Sequence, residues 1–227
     1  MFYLVFFRIF DSIKHQIDME GFRKWTRQKL LNEFGLKMMD ELPSLTQWLE
    51  MKAEISGEEA QELEYLRAKL EKKVDIWNEQ ELIVKFIALL MDLVNFDTPH
   101  YQSYANRKLK AKIEDIELSG DVDFMIASGE FEPEAPYFCL HEYKREQAAP
   151  KDPKGQLLAA MLAAQTINKN TSMPIYGAYV LGRNWFFLTL ENRKYAISNS
   201  FTATKSEIHD IFKRLCAVRS LIDAQIS

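Results

Sequence analysis

The spacing of apolar residues changes once along this chain, and that change restricts the folds it can form. Between residue 20 and about residue 95 the apolar residues recur at helical spacing, with turn signals at Gly35, Pro43 and Gly57. From about residue 108 they alternate, as they do in strands that bury one face. The chain is therefore expected to combine an N-terminal helical segment with a sheet.

Three helix starts are predicted in the first part of the chain. Ser44 precedes an apolar pattern of helical spacing, and Ser56 precedes a second one that carries Glu and Lys on its other faces. Asn78 and Glu81 have the spacing of a capping box. The helix that follows them should be buried against the sheet through an apolar stripe made of Leu82, Phe86, Leu89, Leu90 and Leu93.

The second part of the chain predicts strands separated by one helix. Asp152 and Pro153 are a cap and a first helical residue, and a helix after them is long enough for a crossover between parallel strands. The sheet should therefore be mixed, with helices on both faces. The expected strands contain Leu109 to Ile116, then Val122, Phe124 and Ile126, then residues 137–144, 174–181, 185–190 and 194–198, before a last helix at about 205–223.

Bulk properties exclude several classes of protein. The chain has 227 residues, a net charge of −4 and two cysteines, which are too few for a disulfide scaffold or a zinc cluster. Cys139 and His141 share a strand face and are interpreted as packing residues. A basic surface would have to be local, and the basic residues do cluster in two places, at Arg107, Lys108, Lys110 and Lys112 and at Lys144, Arg145, Lys151 and Lys154.

The first ten residues are strongly apolar, but they are about half the length needed to span a bilayer and Arg8 interrupts them. They also lack the basic region and cleavage site of a signal peptide. We expect a cytoplasmic protein with no membrane partner. Because Met19 begins a more ordinary N-terminus, residues 1–18 are interpreted as a candidate over-extended start.

The run from Cys139 to Arg145 carries the chemistry. In a strand Glu142 and Lys144 point to one face, while His141 and Tyr143 point to the other. If the neighbouring strand pairs with this one, Asp123 adds a second carboxylate, and two carboxylates suffice to hold Mg²⁺. The alternative is a strand-end ion pair between Glu142 and Lys144, which would contribute about 0.2–1 kcal/mol if exposed.

The order of elements, with an Asp in the second strand and Glu-x-Lys in the third, resembles the PD-(D/E)XK nuclease superfamily over roughly residues 77 to 190. The segment from Gly120 to Phe124 looks like its Gly-x-x-Asp-hydrophobic signature, although Val122 replaces the Pro of the family's name. Gln156 matches a Gln of the following helix in several branches. Residues 136–146, 155–161 and 179–187 are similar to a bacterial group within that superfamily.

This resemblance implies a restriction-endonuclease-like α/β fold, in which a mixed β-sheet is flanked by helices, at residues 76–227. The helical spacing of the apolar residues before it predicts an all-helical arm at residues 1–75. The resemblance implies Mg²⁺ or Mn²⁺ as the cofactor, held by Asp123, Glu142 and the backbone carbonyl of Tyr143. Lys144 would hold or deprotonate the attacking water, or stabilise charge on the phosphate. Glu79 and Gln156 are secondary catalytic candidates; the alternatives are a first-turn Glu favoured by the helix dipole and an early-helix polar residue.

The implied function is magnesium-dependent hydrolysis of nucleic acid, with DNA as the expected substrate. Lys151, Lys154 and Arg183 are the candidate nucleic-acid-binding residues, the two lysines because they flank a helix N-terminus near the proposed site. For Arg183 a hairpin turn with core aromatics is the alternative. The alternative function is an inactive nuclease-fold scaffold, dimerising through the arm, or a subunit of a larger defence or repair complex.

Overall fold

The computed structural model describes residues 21–147 and 152–226. Two sequence-based predictions, the over-extended start at residues 1–18 and the nucleic-acid-binding role of Lys151, lie outside the described residues.

The helices of the first half come in short pieces. A 3₁₀-helix at Gly21–Lys24 is followed by α1, α2 and α3, and then by one longer helix that consists of α4, a π-helical turn and α5. Two further helices, α6 and α7, occur later in the chain. Their bounds are Arg27–Phe34 for α1, Pro43–Glu50 for α2, Gly57–Lys73 for α3, Glu79–Leu82 for α4, Ile83–Ile87 for the π turn, Ala88–Val94 for α5, Pro153–Asn168 for α6 and Ile208–Ile226 for α7.

The described strands form one eight-stranded sheet in the order β1-β7-β6-β5-β4-β3-β2, with β8 paired to β6. The β1–β7 and β4–β5 pairs are parallel, and the other pairs are antiparallel. Helix α6 connects β4 to β5, as predicted. The strands are β1 Lys37–Met38, β2 Gln102–Ile113, β3 Ile116–Ser128, β4 Glu134–Lys144, β5 Ile175–Leu181, β6 Asn184–Glu191, β7 Lys194–Ile197 and β8 Phe201–Thr202.

Helices cover both faces of the sheet, and each face has its own apolar core. One core contains residues of α2, α3, α4, α5 and α7 with one side of the strands. The other contains the 3₁₀-helix, α1 and α6 with the opposite side. The predicted mixed α/β sheet flanked by helices is therefore confirmed.

The N-terminal segment is integrated into this sheet. Its two-residue strand β1 pairs with β7, so the prediction that the segment is all-helical is wrong. Trp48 is fully buried, and its indole N–H donates to the carbonyl of Arg214 at 2.7 Å. The boundary at residue 75 and dimerisation through this segment stay predictions.

Two of the three predicted helix starts are confirmed. Ser56 forms a capping box with Glu59, and Asn78 forms one with Glu81. The Ser44 prediction is wrong, because helix α2 begins at Pro43. Ser44 is buried, and its hydroxyl lies 3.0 Å from that of Thr189 in β6, where it joins the helix to the sheet.

The apolar stripe of the longer helix differs from the prediction at one position. Leu82, Phe86 and Leu90 are buried, but Leu89 is 40% exposed. The π-helical turn at Ile83–Ile87 explains the difference, since its wider turn rotates the residues that follow it.

The first predicted strand also ends earlier than expected. Strand β2 stops at Ile113, Glu114 takes a left-handed conformation at φ 53°, and Ile116 already belongs to β3. Leu109, Ala111 and Ile113 do alternate along β2, but Ile116 is the cross-strand partner of Ile113 in the hairpin and not a continuation of the same strand.

Among the helices at residues 21–147 and 152–226, none combines the length and the apolar character that a membrane-spanning segment needs.

Candidate metal site at the end of the central strands

The candidate site lies where β3 and β4 run side by side in the middle of the sheet. The two strands are antiparallel, with Phe124 opposite His141. The backbone N–H of Tyr143 donates to Oδ2 of Asp123 at 2.7 Å. The Asp strand and the Glu-x-Lys strand are therefore neighbours, as the motif required.

Strand β3 and its neighbour β2 are both irregular at Asp123. In a regular strand Val122 and Phe124 would share a face, as the sequence predicted, but Val122 packs in the core on the α6 side and Phe124 in the opposite core. On β2, the residue between the partners of these two is Asn106, which has a left-handed φ of 52°. The regular alternation of side chains is therefore broken on β3 at Asp123, opposite the left-handed residue of β2.

The side chain of Lys144 brings the acids together. Its Nζ lies 2.7 Å from Oε1 of Glu142 and 3.3 Å from Oε1 of Glu79, and it donates to the carbonyl of Tyr143 at 2.9 Å. Glu79 comes from the first turn of α4, whose position the Asn78 capping box fixes. Oxygens from two distant segments of the chain thus surround one cation.

Glu142 is a buried acid with an incomplete set of partners. The residue is 3% exposed, and its contact with Lys144 is an ion pair without hydrogen-bond alignment, which leaves Oε1 with no hydrogen-bond donor among the described residues. Burial, followed by the nearby charge of Asp123, raises the pKa of Glu142 to about 8. A buried carboxylate in this state would be stabilised by a further cation.

The other two charged groups respond to the same surroundings. Burial raises the pKa of Asp123, and the charge of Lys144 and the N–H of Tyr143 offset only part of this. For Lys144 burial lowers the pKa, but the carboxylates of Glu142, Asp123 and Glu79 together outweigh it, so the net shift is upward. The site therefore contains more negative charge than Lys144 alone neutralises.

These donors fit a hard divalent ion. Mg²⁺ prefers oxygen ligands and needs only one or two carboxylates, with water and substrate supplying the rest. Asp123, Glu142 and the Tyr143 carbonyl are such oxygens. Within residues 21–147 and 152–226 no group of three or more His, Cys, Asp or Glu side chains is arranged to hold a metal, so the proposed ligand set combines two carboxylates with the backbone carbonyl.

The opposite face of β4 is closed and neutral. His141 contacts the hydroxyl of Tyr143 at 2.8 Å and the thiol of Cys139 at 3.4 Å. All three residues are buried, and burial lowers the pKa of His141 to about 3. The prediction that Cys139 and His141 are packing residues agrees with this arrangement.

A polar cleft of about 370 Å³ opens beside Asp123. Glu79 and Gln156 line it, so the structure brings both secondary candidates to the site. The side chain of Gln156 is largely buried and makes no hydrogen bond within the described residues. Asp121 is exposed at the rim of this cleft, as expected for a solvated strand residue.

Two predicted nucleic-acid-binding residues, Lys154 and Arg183, do not line this cleft. The ammonium of Lys154 lies 5.4 Å from the ring centres of both Tyr179 and Phe186, which stack on each other. The guanidinium of Arg183 is paired with Glu146 and Asp75. Both charges are therefore already engaged within the chain.

Sequence reasoning missed one cation of the cleft and treated another as part of a cluster. Arg23 comes from the 3₁₀-helix, 100 residues before Asp123, and no local motif connects the two. Lys108 belongs to the basic cluster on β2 noted in the sequence. Asn106 was a sequence signal for the irregularity of β2 opposite Asp123, since Asn is one of the few residues that adopts a left-handed φ readily.

Comparison with protein-family models finds none that matches this chain, and comparison with curated proteins finds no match either.

Proposed function

We propose that this protein is a magnesium-dependent nuclease that hydrolyses phosphodiester bonds, with DNA as the expected substrate. The observation that supports this most is the convergence of Asp123, Glu142 and Lys144 at one place. These residues come from two strands, they are joined through Tyr143, and Glu79 approaches from a helix. The match to the Asp and Glu-x-Lys pattern of the PD-(D/E)XK superfamily is the second support.

In this proposal a divalent ion would activate the attacking water, and the side chains of the protein would hold the ion and stabilise the phosphate. A bound divalent ion would neutralise charge on the phosphate in the transition state and lower the pKa of the attacking water. Asp123, Glu142 and the Tyr143 carbonyl would hold it. The Nζ of Lys144 donates to Oε1 of Glu79 and to the Tyr143 carbonyl, and it forms an ion pair with Glu142, so the group is an ammonium. Among the roles expected for Lys144, this favours stabilising charge on the phosphate.

Gln156 and Glu79 would act around this centre. The amide of Gln156 has no hydrogen-bond partner within the described residues and lines the cleft, which suits a group that contacts a phosphate oxygen or a water. Glu79 shares Lys144 with Glu142 and would fix the direction of the ammonium. Gln156 would therefore act by direct contact, and Glu79 by positioning Lys144.

The scaffold alternative rests on the same ion pair. If Lys144 serves only to neutralise Glu142, the site is a structural contact and needs no metal. Removing Lys144 would then affect stability alone. The two functions are separated by measuring cleavage.

The test is nicking of supercoiled plasmid DNA with Mg²⁺ or Mn²⁺ present. Lys144→Ala should lower the rate at least about 100-fold, which is typical for removal of a group that stabilises transition-state charge. Arg145→Ala is the matched control, since Arg145 is the next residue and is exposed. Absence of cleavage by the unmodified protein would support the scaffold instead, and cleavage that is unchanged in Lys144→Ala would mean that this site is not the one that cleaves.

A further inference from the structure

Two cations line the polar cleft without ion-pair partners among the described residues. Arg23 and Lys108 are both exposed there. The other basic residues of the same row on β2 are paired, namely Arg107 with Glu132, Lys110 with Glu117 and Lys112 with Asp115. Lys108, the one basic residue of this β2 row without an ion-pair partner among the described residues, is thus the one that lines the cleft.

The segment that carries Arg23 is built against the site by two close approaches. A side chain at Gly120 would meet Phe22 at 2.6 Å, so only glycine lets the 3₁₀-helix lie on β3. A side chain at Gly155 would meet the carbonyl of Trp25 at 2.6 Å, so the chain also lies directly on the start of α6.

A polar clamp completes this attachment. The carboxylate of Asp152 accepts from the backbone N–H of Arg27 at 3.0 Å and from its Nε at 2.9 Å. Asp152 is the N-cap residue of α6, as predicted, but its side chain makes no capping bond and holds the N-terminal segment through Arg27 instead. The position of Arg23 is therefore fixed from both sides.

We propose that this cleft binds the phosphate backbone of a nucleic-acid strand, with Arg23 and Lys108 as phosphate contacts. The inference deepens the proposed function and rests on it. Phosphate is favoured over a base because the lining is polar, with Ser119, Asn106 and Gln156, and its one aromatic residue among the described ones, Phe22, is buried. The cleft therefore offers charge and hydrogen bonds but no stacking surface.

The charges of the cleft add a condition. Glu79, Asp121 and Asp123 line it together with the two cations, so its net charge without metal is negative. A polyanion should bind poorly to the metal-free protein and better once a divalent cation neutralises the carboxylates. Binding should thus need both the metal and the two side chains.

The experiment measures binding apart from cleavage. A fluorescein-labelled single-stranded DNA oligonucleotide with phosphorothioate linkages, which resist hydrolysis, is titrated with the full chain in Mg²⁺, and anisotropy is recorded from low to moderate salt. Arg23→Gln and Lys108→Gln should each weaken binding about 5- to 10-fold at low salt. Each should also reduce the slope of log affinity against log salt by about 0.7, the value for one phosphate contact with a single strand.

Neighbouring lysines provide the matched controls. Lys24 lies over the ring of Trp25, and Lys112 lies farther along β2 in its pair with Asp115. Lys24→Gln and Lys112→Gln should change affinity less than about twofold. The inference is overturned if Arg23→Gln and Lys108→Gln bind as these controls do, or if the unmodified protein shows no saturable binding.

The two proposals fail separately. Binding that depends on Arg23 and Lys108 without plasmid nicking would support the proposed phosphate-binding cleft and contradict the proposed nuclease activity. Nicking that depends on Lys144, with binding unchanged in Arg23→Gln and Lys108→Gln, would contradict the proposed phosphate-binding cleft and support the nuclease activity. Thermal melts of each variant exclude loss of folding as the cause, since both side chains are exposed.

Discussion

The two faces of strand β4 show how one strand separates a structural role from a chemical one. On one face Cys139, His141 and Tyr143 form a buried chain of neutral contacts. On the other face Glu142 and Lys144 form an ion pair at the strand end, where Lys144 also contacts Glu79 of the cleft; we call this the open face. Residues that alternate along one strand thus lie in opposite electrostatic environments.

The comparison teaches that burial alone does not identify a site. His141 and Glu142 are adjacent, and burial is the first cause of the pKa shift in both. In His141 burial favours the neutral form, which needs no further partner. In Glu142 it leaves a carboxylate crowded by Asp123 and only partly matched by Lys144. Unbalanced charge, and not burial, distinguishes the candidate site.

The largest expected effect is on the open face. Glu142→Gln removes a carboxylate that would hold the divalent ion, and plasmid nicking should fall on the order of 1000-fold, because metal-ion catalysis is worth several kcal/mol. Glu134→Gln, at the exposed beginning of the same strand, should change the rate less than about twofold. Equal rates for the two variants would mean that the open face is not the active one.

The pH dependence of stability should distinguish the faces next. In EDTA the folded protein keeps a proton on Glu142 up to about pH 8, whereas the unfolded chain loses it near 4.5. The folded state therefore binds more protons in this window, and the free energy of unfolding should fall as the pH rises from about 5 to 8, by on the order of 2–4 kcal/mol. Urea unfolding of Glu142→Gln should lack most of this decline.

The shift of His141 has the opposite sign, so the two contributions can be separated. Its folded pKa of about 3 lies below the ordinary value of 6.5, and its contribution to stability is lost as the pH falls through that range. An equal decline from pH 5 to 8 in the unmodified protein and in Glu142→Gln would contradict the assignment to Glu142.

The closed face should affect stability only. Tyr143→Phe removes the hydroxyl that contacts His141 and leaves a buried ring nitrogen without that partner, which should cost about 1–3 kcal/mol in denaturant unfolding. The backbone groups of Tyr143 remain, so nicking should stay within about twofold of the unmodified rate. A large loss of nicking at unchanged stability would contradict the assignment of a purely structural role to the closed face.

The smallest effect concerns the packing that fixes Arg23. Gly120→Ala would force a methyl group against Phe22, and should cost about 1–2 kcal/mol of stability and weaken oligonucleotide binding. Gly57→Ala is the matched control, since nothing lies within 4 Å of a side chain there. If Gly120→Ala melts and binds as Gly57→Ala does, Arg23 is not held in the way described.

Local patterns predicted much of this fold because short-range physics determines them. The capping box of Asn78 and Glu81 needs only three residues of spacing, and it is present as predicted. The alternation along β4 assigned Glu142 and Lys144 to one face and His141 and Tyr143 to the other, and the contacts of these four residues agree.

The remaining features depend on long-range contacts that spacing does not encode. Ser44 has the chemistry of a cap, but a partner 145 residues away in β6 holds it instead. The change of face between Val122 and Phe124 depends on how β2 pairs with β3, not on either sequence alone. Arg23 reaches the cleft through close approaches at Gly120 and Gly155, which are visible only once the elements are packed.

The measurement that tests the central claim most directly is calorimetric titration of Mg²⁺ and Mn²⁺ into the metal-free protein and into Glu142→Ala. If Asp123, Glu142 and the Tyr143 carbonyl form a divalent-cation site, the unmodified protein should give a saturable heat for at least one ion, and Glu142→Ala should give none. No heat from either ion in the unmodified protein, or the same heat in both proteins, would contradict the account.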